Sequence, residues 1–224
     1  MKRQILFFLV FFVCVSALGQ NKGKEYYDKA IEYYYACLLG DQKACKQFEK
    51  YHKKAVKEGY PAAQFDMGVN YVNGYAGLKQ DYNKALEWFK KAAAQGHAEA
   101  SYQIAMFYSF GHGVPIDKSE AVRWYEKAAK EGCDDAAIDL AGMYYYGDNV
   151  ERDHATAMKW LMIAADRGNK VAMRQIGILY DEGGYGVERD YVEAAKWYKM
   201  ASDKGDTYAG FALDRLNKIL GPED

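Results

Sequence analysis

A chain of 224 residues, half of them hydrophobic and only 3 of them proline, carries enough apolar side chain for a folded core and little to interrupt helices. A net charge of −1 with no basic stripe argues against nucleic acid as a partner. The excess to be placed is tyrosine, 21 residues, which supplies aromatic surface for packing or recognition.

The chain opens with "MKRQILFFLVFFVCVSALGQ": Lys2 and Arg3, an apolar run from Ile5 to Val15, then small residues. This layout predicts a secretory signal peptide over residues 1–19. Cleavage after Ala17 and after Gly19 both fit. Retention as an anchor is the competing reading, with an apolar heart short for a spanning helix of about 20 residues. Nothing after residue 22 is apolar enough over a sufficient length to re-enter a membrane. The expectation is an exported protein, periplasmic or secreted, with no membrane insertion after cleavage.

Residues 20–61 read as a degenerate helical hairpin, with helices over 25–39 and 42–58 around Gly40. Beyond it the chain repeats itself. Gly96, Gly132, Gly168 and Gly205 follow one another at 36, 36 and 37 residues, and Trp88, Trp124, Trp160 and Trp197 keep the same steps, as do Asp81, Asp117, Asp153 and Asp190. Self-similarity at such a period marks a repeat architecture, here four copies over 62–98, 99–134, 135–170 and 171–205.

Each copy divides into two helices. The first starts near Ala63, Ala100, Ala136 or Ala172 and leads into a glycine loop. The second starts at the aspartate, whose side chain can cap free backbone N–H groups, and carries a helical stripe such as Ala85, Trp88 and Ala92. It ends at the glycine, which takes a left-handed backbone easily. Gly68, Ala105, Ala141 and Gly177 allow close approach of the neighbouring helix. A hairpin this small cannot bury its apolar face alone and must stack on the next. Residues 206–224 begin like a fifth copy, but Asp214 replaces the small residue, which predicts a polar-backed capping helix. The fold class is all-α, a solenoid of stacked helix-loop-helix units.

The stretch "ASYQIAMFYSFGHGVPIDKSEAVRWYEKAAKEG" (residues 100–132) resembles the Sel-one-like repeat, a member of the tetratricopeptide superfamily with longer loops. The resemblance covers residues 62 to about 209 in four copies and implies a right-handed superhelix with a concave and a convex side. Two departures loosen single contacts: "YYYGDNVERD" lacks the second loop glycine, and Ser202 replaces an alanine. Cys37 and Cys45, either side of the Gly40 turn, are a reasonable disulfide in an exported protein, and the pair resembles the C-x7-C staple of the cysteine-rich secreted branch of this family. Two reduced, partly buried thiols are the alternative. Cys133 is expected to be a surface thiol.

Chemistry is scarce. His52, His97, His112 and His154 fall in different repeats without a second ligand at metal spacing, and no nucleophile, zinc-protease or phosphate-loop pattern occurs. The expectation is no enzyme, no metal and no cofactor. Arg152 and Arg189, each preceding a capping aspartate, are read as loop-packing or solvated charges.

Recognition is sought in what the copies do not share. At about 100° per residue, the stripe two, six and nine places after each leading alanine lies off the helix core, and the tetratricopeptide likeness implies that it lines the concave face. It includes Phe65, Tyr102, Met106, Gly142, Arg174, Ile178 and Tyr145, extended by Phe110 and Tyr146 at helix ends. Exposed aromatic and methionine side chains there are what a protein or peptide ligand would bury; coverage by neighbouring helices is the alternative. The expected function is an exported scaffold or adaptor that binds a protein or peptide through Phe65, Tyr102, Met106, Phe110, Tyr145, Tyr146, Arg174 and Ile178. The resemblance also implies two other roles: a periplasmic immunity protein that neutralises a toxin, and a protein that binds or hydrolyses cell-wall peptides or β-lactams.

Overall fold

Helix starts follow the aspartates. In the computed structural model, which describes residues 21–221, Asp81 accepts from the backbone N–H of Lys84, Asp117 from Glu120, Asp153 from Thr156, and Asp190 from Val192 and Glu193. These bonds satisfy donors that the first turn of a helix leaves free. The expected signal peptide lies outside the described residues.

In chain order the helices are α1 (21–38), α2 (Gln42–Lys57), α3 (Pro61–Asn73), α4 (Tyr82–Ala93), α5 (Ala98–Phe110), α6 (Lys118–Glu131), α7 (Asp134–Tyr146), α8 (His154–Asp166), α9 (Lys170–Glu182), α10 (Tyr191–Asp203) and α11 (Thr207–Leu220). The first helix of each hairpin thus begins two residues before the alanine that the sequence marks. Among the described residues there is no strand beyond a single bridge between Gly184 and Val187.

The loops between paired helices share one device. The residue two places after the first loop glycine has a left-handed backbone in all four: Ala76 at φ 55°, Gly113 at 70°, Asn149 at 64° and Tyr185 at 49°. Asn149 therefore fills the place of the missing second glycine, and asparagine tolerates that conformation better than most side chains.

The chain forms two compact units. One holds the described residues up to Ile104 with His112–Val114; the other holds Ala105–Gly111 and the residues from Pro115 onward. In the first unit α3 packs on α4, and a Cβ on Gly68 would lie 2.4 Å from the Phe89 ring. The glycine is required because that ring lies directly against the α3 backbone. Phe89, not Trp88, is the fully buried residue here: Trp88 is half-buried under the Lys91 ammonium, 4.1 Å from its centroid. The same step recurs at Tyr125, Leu161 and Tyr198, each buried and each following the tryptophan of its copy.

The degenerate hairpin belongs to the first unit. Cys37 and Cys45 form a disulfide that ties the end of α1 to α2. The buried His52 on α2 places Nε2 3.1 Å from Asp66 Oδ2 on α3, and the Tyr27 hydroxyl on α1 donates to the same oxygen at 3.0 Å. Burial, then the adjacent Asp66 carboxylate, pushes the Tyr27 phenol well above its usual range.

In the second unit α7 packs on α8, α8 on α9, α9 on α10 and α10 on α11. Gly177 repeats the role of Gly68, since a Cβ there would lie 2.6 Å from the Tyr198 ring. Cys133 is a correction: it is buried rather than at the surface. It sits at the N-cap of α7, and the equivalent turn positions are drawn into contacts between hairpins. Asn169 bonds Asp134 at 3.4 Å, and Asp206, itself buried, faces Arg174 at 3.4 Å. The capping helix also differs from expectation. Asp214 is exposed, in keeping with a polar back, but so are Tyr208, Phe211 and Ile219.

Candidate functional site

Two adjoining recesses open along the first helices of the second unit, and their origin is one residue. The position that carries Met106 on α5 and Ile178 on α9 carries Gly142 on α7. A Cβ built on Gly142 meets nothing within 4 Å. A side chain is therefore missing where the neighbouring copies have one, and space is left on both sides.

The recess between α7 and α9 encloses about 260 Å³. Ala141, Leu161, Ile178 and Leu179 give it an apolar floor, and Tyr145, Tyr146, Gln175 and Glu182 form its rim. Tyr145 is a fixed wall. Its ring stacks on the buried His154 imidazole with centroids 4.6 Å apart and planes 4° from parallel, and its hydroxyl donates to Glu182. Burial, then the Glu182 carboxylate, pushes the Tyr145 phenol up to about 12. It is neutral at physiological pH and donates.

The recess between α5 and α7 encloses about 330 Å³, lined by Met106, Ser109, Phe110, Tyr125, Met143 and Tyr146, with Lys118, Asp139 and Asp148 as its charged groups. Gly142 and Tyr146 line both recesses. Tyr146 is 71% exposed and Phe110 is 59% exposed, so both stand out from the helix core as large apolar residues.

Of the expected contact residues, Met106, Phe110, Tyr145, Tyr146 and Ile178 thus line one groove. Phe65 and Tyr102 belong to the other unit. The half-buried Phe65 stacks on His97 at 4.8 Å and packs against Phe89 at 5.6 Å, which commits it to holding α3, α4 and the following turn together. Arg174 lies outside the lining of both recesses; it pairs with Asp206 and sits over the Tyr208 ring. Arg152 lies over Tyr185, and Arg189 donates to the Glu182 carbonyl, so both arginines pack loops as expected.

Glu182 is not among the residues that the sequence points to, yet its position is legible. It is the last residue of α9, where α5 ends in Phe110 and α7 in Tyr146. Aromatic character alone selects the first two and passes over the acid. The buried His154 carried no sequence signal, and its Nδ1 has no hydrogen-bond partner.

The Sel1 repeat family model matches residues 61–97, 98–133, 134–169 and 170–206. Among solved structures, c5321, a protective antigen of uropathogenic Escherichia coli strains displaying an SLR fold, superposes with a TM-score of 0.74 at 32% identity, covering 88% of this chain and 41% of that one. A Sel1 repeat protein from Oxalobacter formigenes gives 0.68 at 35% identity, covering 79% and 50%. The chain therefore spans half or less of the length of these two relatives. The immunity protein Pa5087 of Pseudomonas aeruginosa shares the fold alone, with a TM-score of 0.50 at 21% identity over 84% of this chain and 68% of that one.

Proposed function

Since this chain belongs to the Sel1 repeat family, whose proteins in general mediate protein–protein interaction and are non-catalytic scaffolds, we propose that it is an exported adaptor that binds a protein or peptide in the groove along α5, α7 and α9. The observation that carries the reading is the open space beside Gly142, flanked by the exposed rings of Phe110 and Tyr146. Exposed aromatic anchors beside unfilled apolar recesses are the usual energetic centre of an interface. Export is supported by the N-terminal sequence pattern and by the Cys37–Cys45 disulfide, since disulfides persist in oxidising compartments. Among the described residues no helix is long and apolar enough to cross a membrane. The immunity and cell-wall readings gain no specific observation from the groove.

The test is capture of a partner by the immobilised full-length chain, compared with Gly142→Leu and Tyr146→Ala. Gly142→Leu fills the groove from a helical position with room for the side chain. The expected outcome is loss of the partner by both variants with melting temperature held or raised for the leucine variant. A partner retained equally by wild type and both folded variants contradicts the reading.

A further inference from the structure

The groove has an electrostatic bias as well as a shape. Its charged lining consists of Glu182 in one recess and Asp139, Asp148 and Lys118 in the other, three carboxylates against one ammonium. Arg152 is a further cation acting on Tyr145, and its guanidinium is engaged over the Tyr185 ring at 4.6 Å.

The backbone adds to the same sign. Phe110, Tyr146 and Glu182 are the last residues of α5, α7 and α9, so the groove runs past three helix C-termini, the negative ends of their dipoles. Basic residues in the last turn usually offset such an end. Helices α4 and α6 have them, as Lys90, Lys91 and Lys130, whereas α5, α7 and α9 have none, as is also true of the second helices α8 and α10. The C-terminal ends that face the groove therefore carry no basic residue in their own last turns, and of the three the α9 end is met by Arg189, which donates to the Glu182 carbonyl.

Size limits what enters. Recesses of about 260 and 330 Å³ lie at or just below the lower end of the roughly 300–1,000 Å³ range of small-molecule sites. Each has room for an apolar side chain, and Tyr146 lines both. Resting on the proposed binding function, we infer that the occupant is a cationic polypeptide segment: two apolar side chains fill the two recesses that Tyr146 lines, and a lysine or arginine beside them faces Asp139, Asp148 and Glu182. Complementary charge at the rim sets partner choice and association rate, while the buried side chains supply most of the affinity.

The experiment uses the purified full-length chain and fluorescein-labelled 12-residue peptides carrying two leucines or phenylalanines at every spacing from two to five residues. One set is flanked by lysine and a matched set by glutamate. Fluorescence anisotropy is expected to show the best lysine-flanked peptide binding at least about tenfold tighter than its glutamate twin, with the contrast shrinking in high salt. The double variant Asp139→Asn/Asp148→Asn is expected to narrow that contrast while leaving apolar binding in place. Equal or tighter binding of the glutamate set overturns the charge inference but leaves the groove reading intact. Binding unchanged by Gly142→Leu, or no binding by either set, overturns both.

Discussion

Three glycines at helical positions make opposite demands. Gly68 and Gly177 are pressed against aromatic rings, with a Cβ falling 2.4 Å from Phe89 and 2.6 Å from Tyr198, whereas Gly142 faces open space. Alanine at either of the first two is expected to destabilise the chain by about 1–3 kcal/mol through overpacking. Alanine at Gly142 is expected to stabilise it by about 0.4–1 kcal/mol, because the unfolded chain loses freedom and nothing in the fold must move. Urea midpoints of the three variants check both signs. Tyr145 gives a pH-dependent outcome. Its folded pKa, about 12, lies above the ordinary tyrosine value of 10.0. The neutral form is the one the fold favours, so its stabilisation is complete below pH 10 and is lost as pH rises through 12. Tyr27 and Tyr198 are raised for the same reasons, burial first and a neighbouring carboxylate second. Stability should therefore fall on the alkaline side, and Tyr145→Phe should show a smaller fall than wild type in urea titrations at pH 9 and 11.5. The sequence shows that Gly68 and Gly142 are both glycine; only the packing of Phe89 distinguishes a glycine that must stay from one that leaves a hole.

At the scale of elements, caps and stops were the legible part. Asp81, Asp117, Asp153 and Asp190 recur at the repeat period because each must satisfy free N–H groups at a helix start, and the residue type that does so is restricted. Asp117→Ala is expected to cost about 1 kcal/mol, read from thermal melting. The left-handed loop position was not legible, because Ala76, Gly113, Asn149 and Tyr185 share a backbone angle and no side-chain property. Tyr185 is held there by its ring, which lies against His154 and under Arg152. The burial of Cys133 is hidden from the sequence for a related reason. A turn residue is ordinarily exposed, and its burial depends on the contacts that neighbouring hairpins make around their turns. The Cys37–Cys45 bridge closes a short loop, so replacing both cysteines by serine should lower stability by roughly 2–3 kcal/mol. Hydrogen exchange should show that loss mainly in α1 and α2 and leave α7 to α9 protected.

For the whole molecule, the residues common to all copies build the array and the groove arises where one copy departs from the others. The stripe of Met106, Gly142 and Ile178 was visible in the alignment as a change of size, but an unfilled recess needs Leu161 beneath it and Tyr145 locked beside it by His154 and Glu182. Those partners come from three helices and share no local pattern. Phe65 shows the converse, an aromatic on the same stripe that is consumed by packing on His97. Exposed rings also occur on α11, at Tyr208 and Phe211, and they offer an internal control. The most direct measurement is photocrosslinking from benzoyl-phenylalanine placed singly at positions 110, 146 and 211 of the full-length chain in the cells that make it. One and the same adduct from positions 110 and 146, absent at 211, is the predicted result; an adduct from 211 alone, or none from the groove positions, would contradict a binding site between α5 and α9.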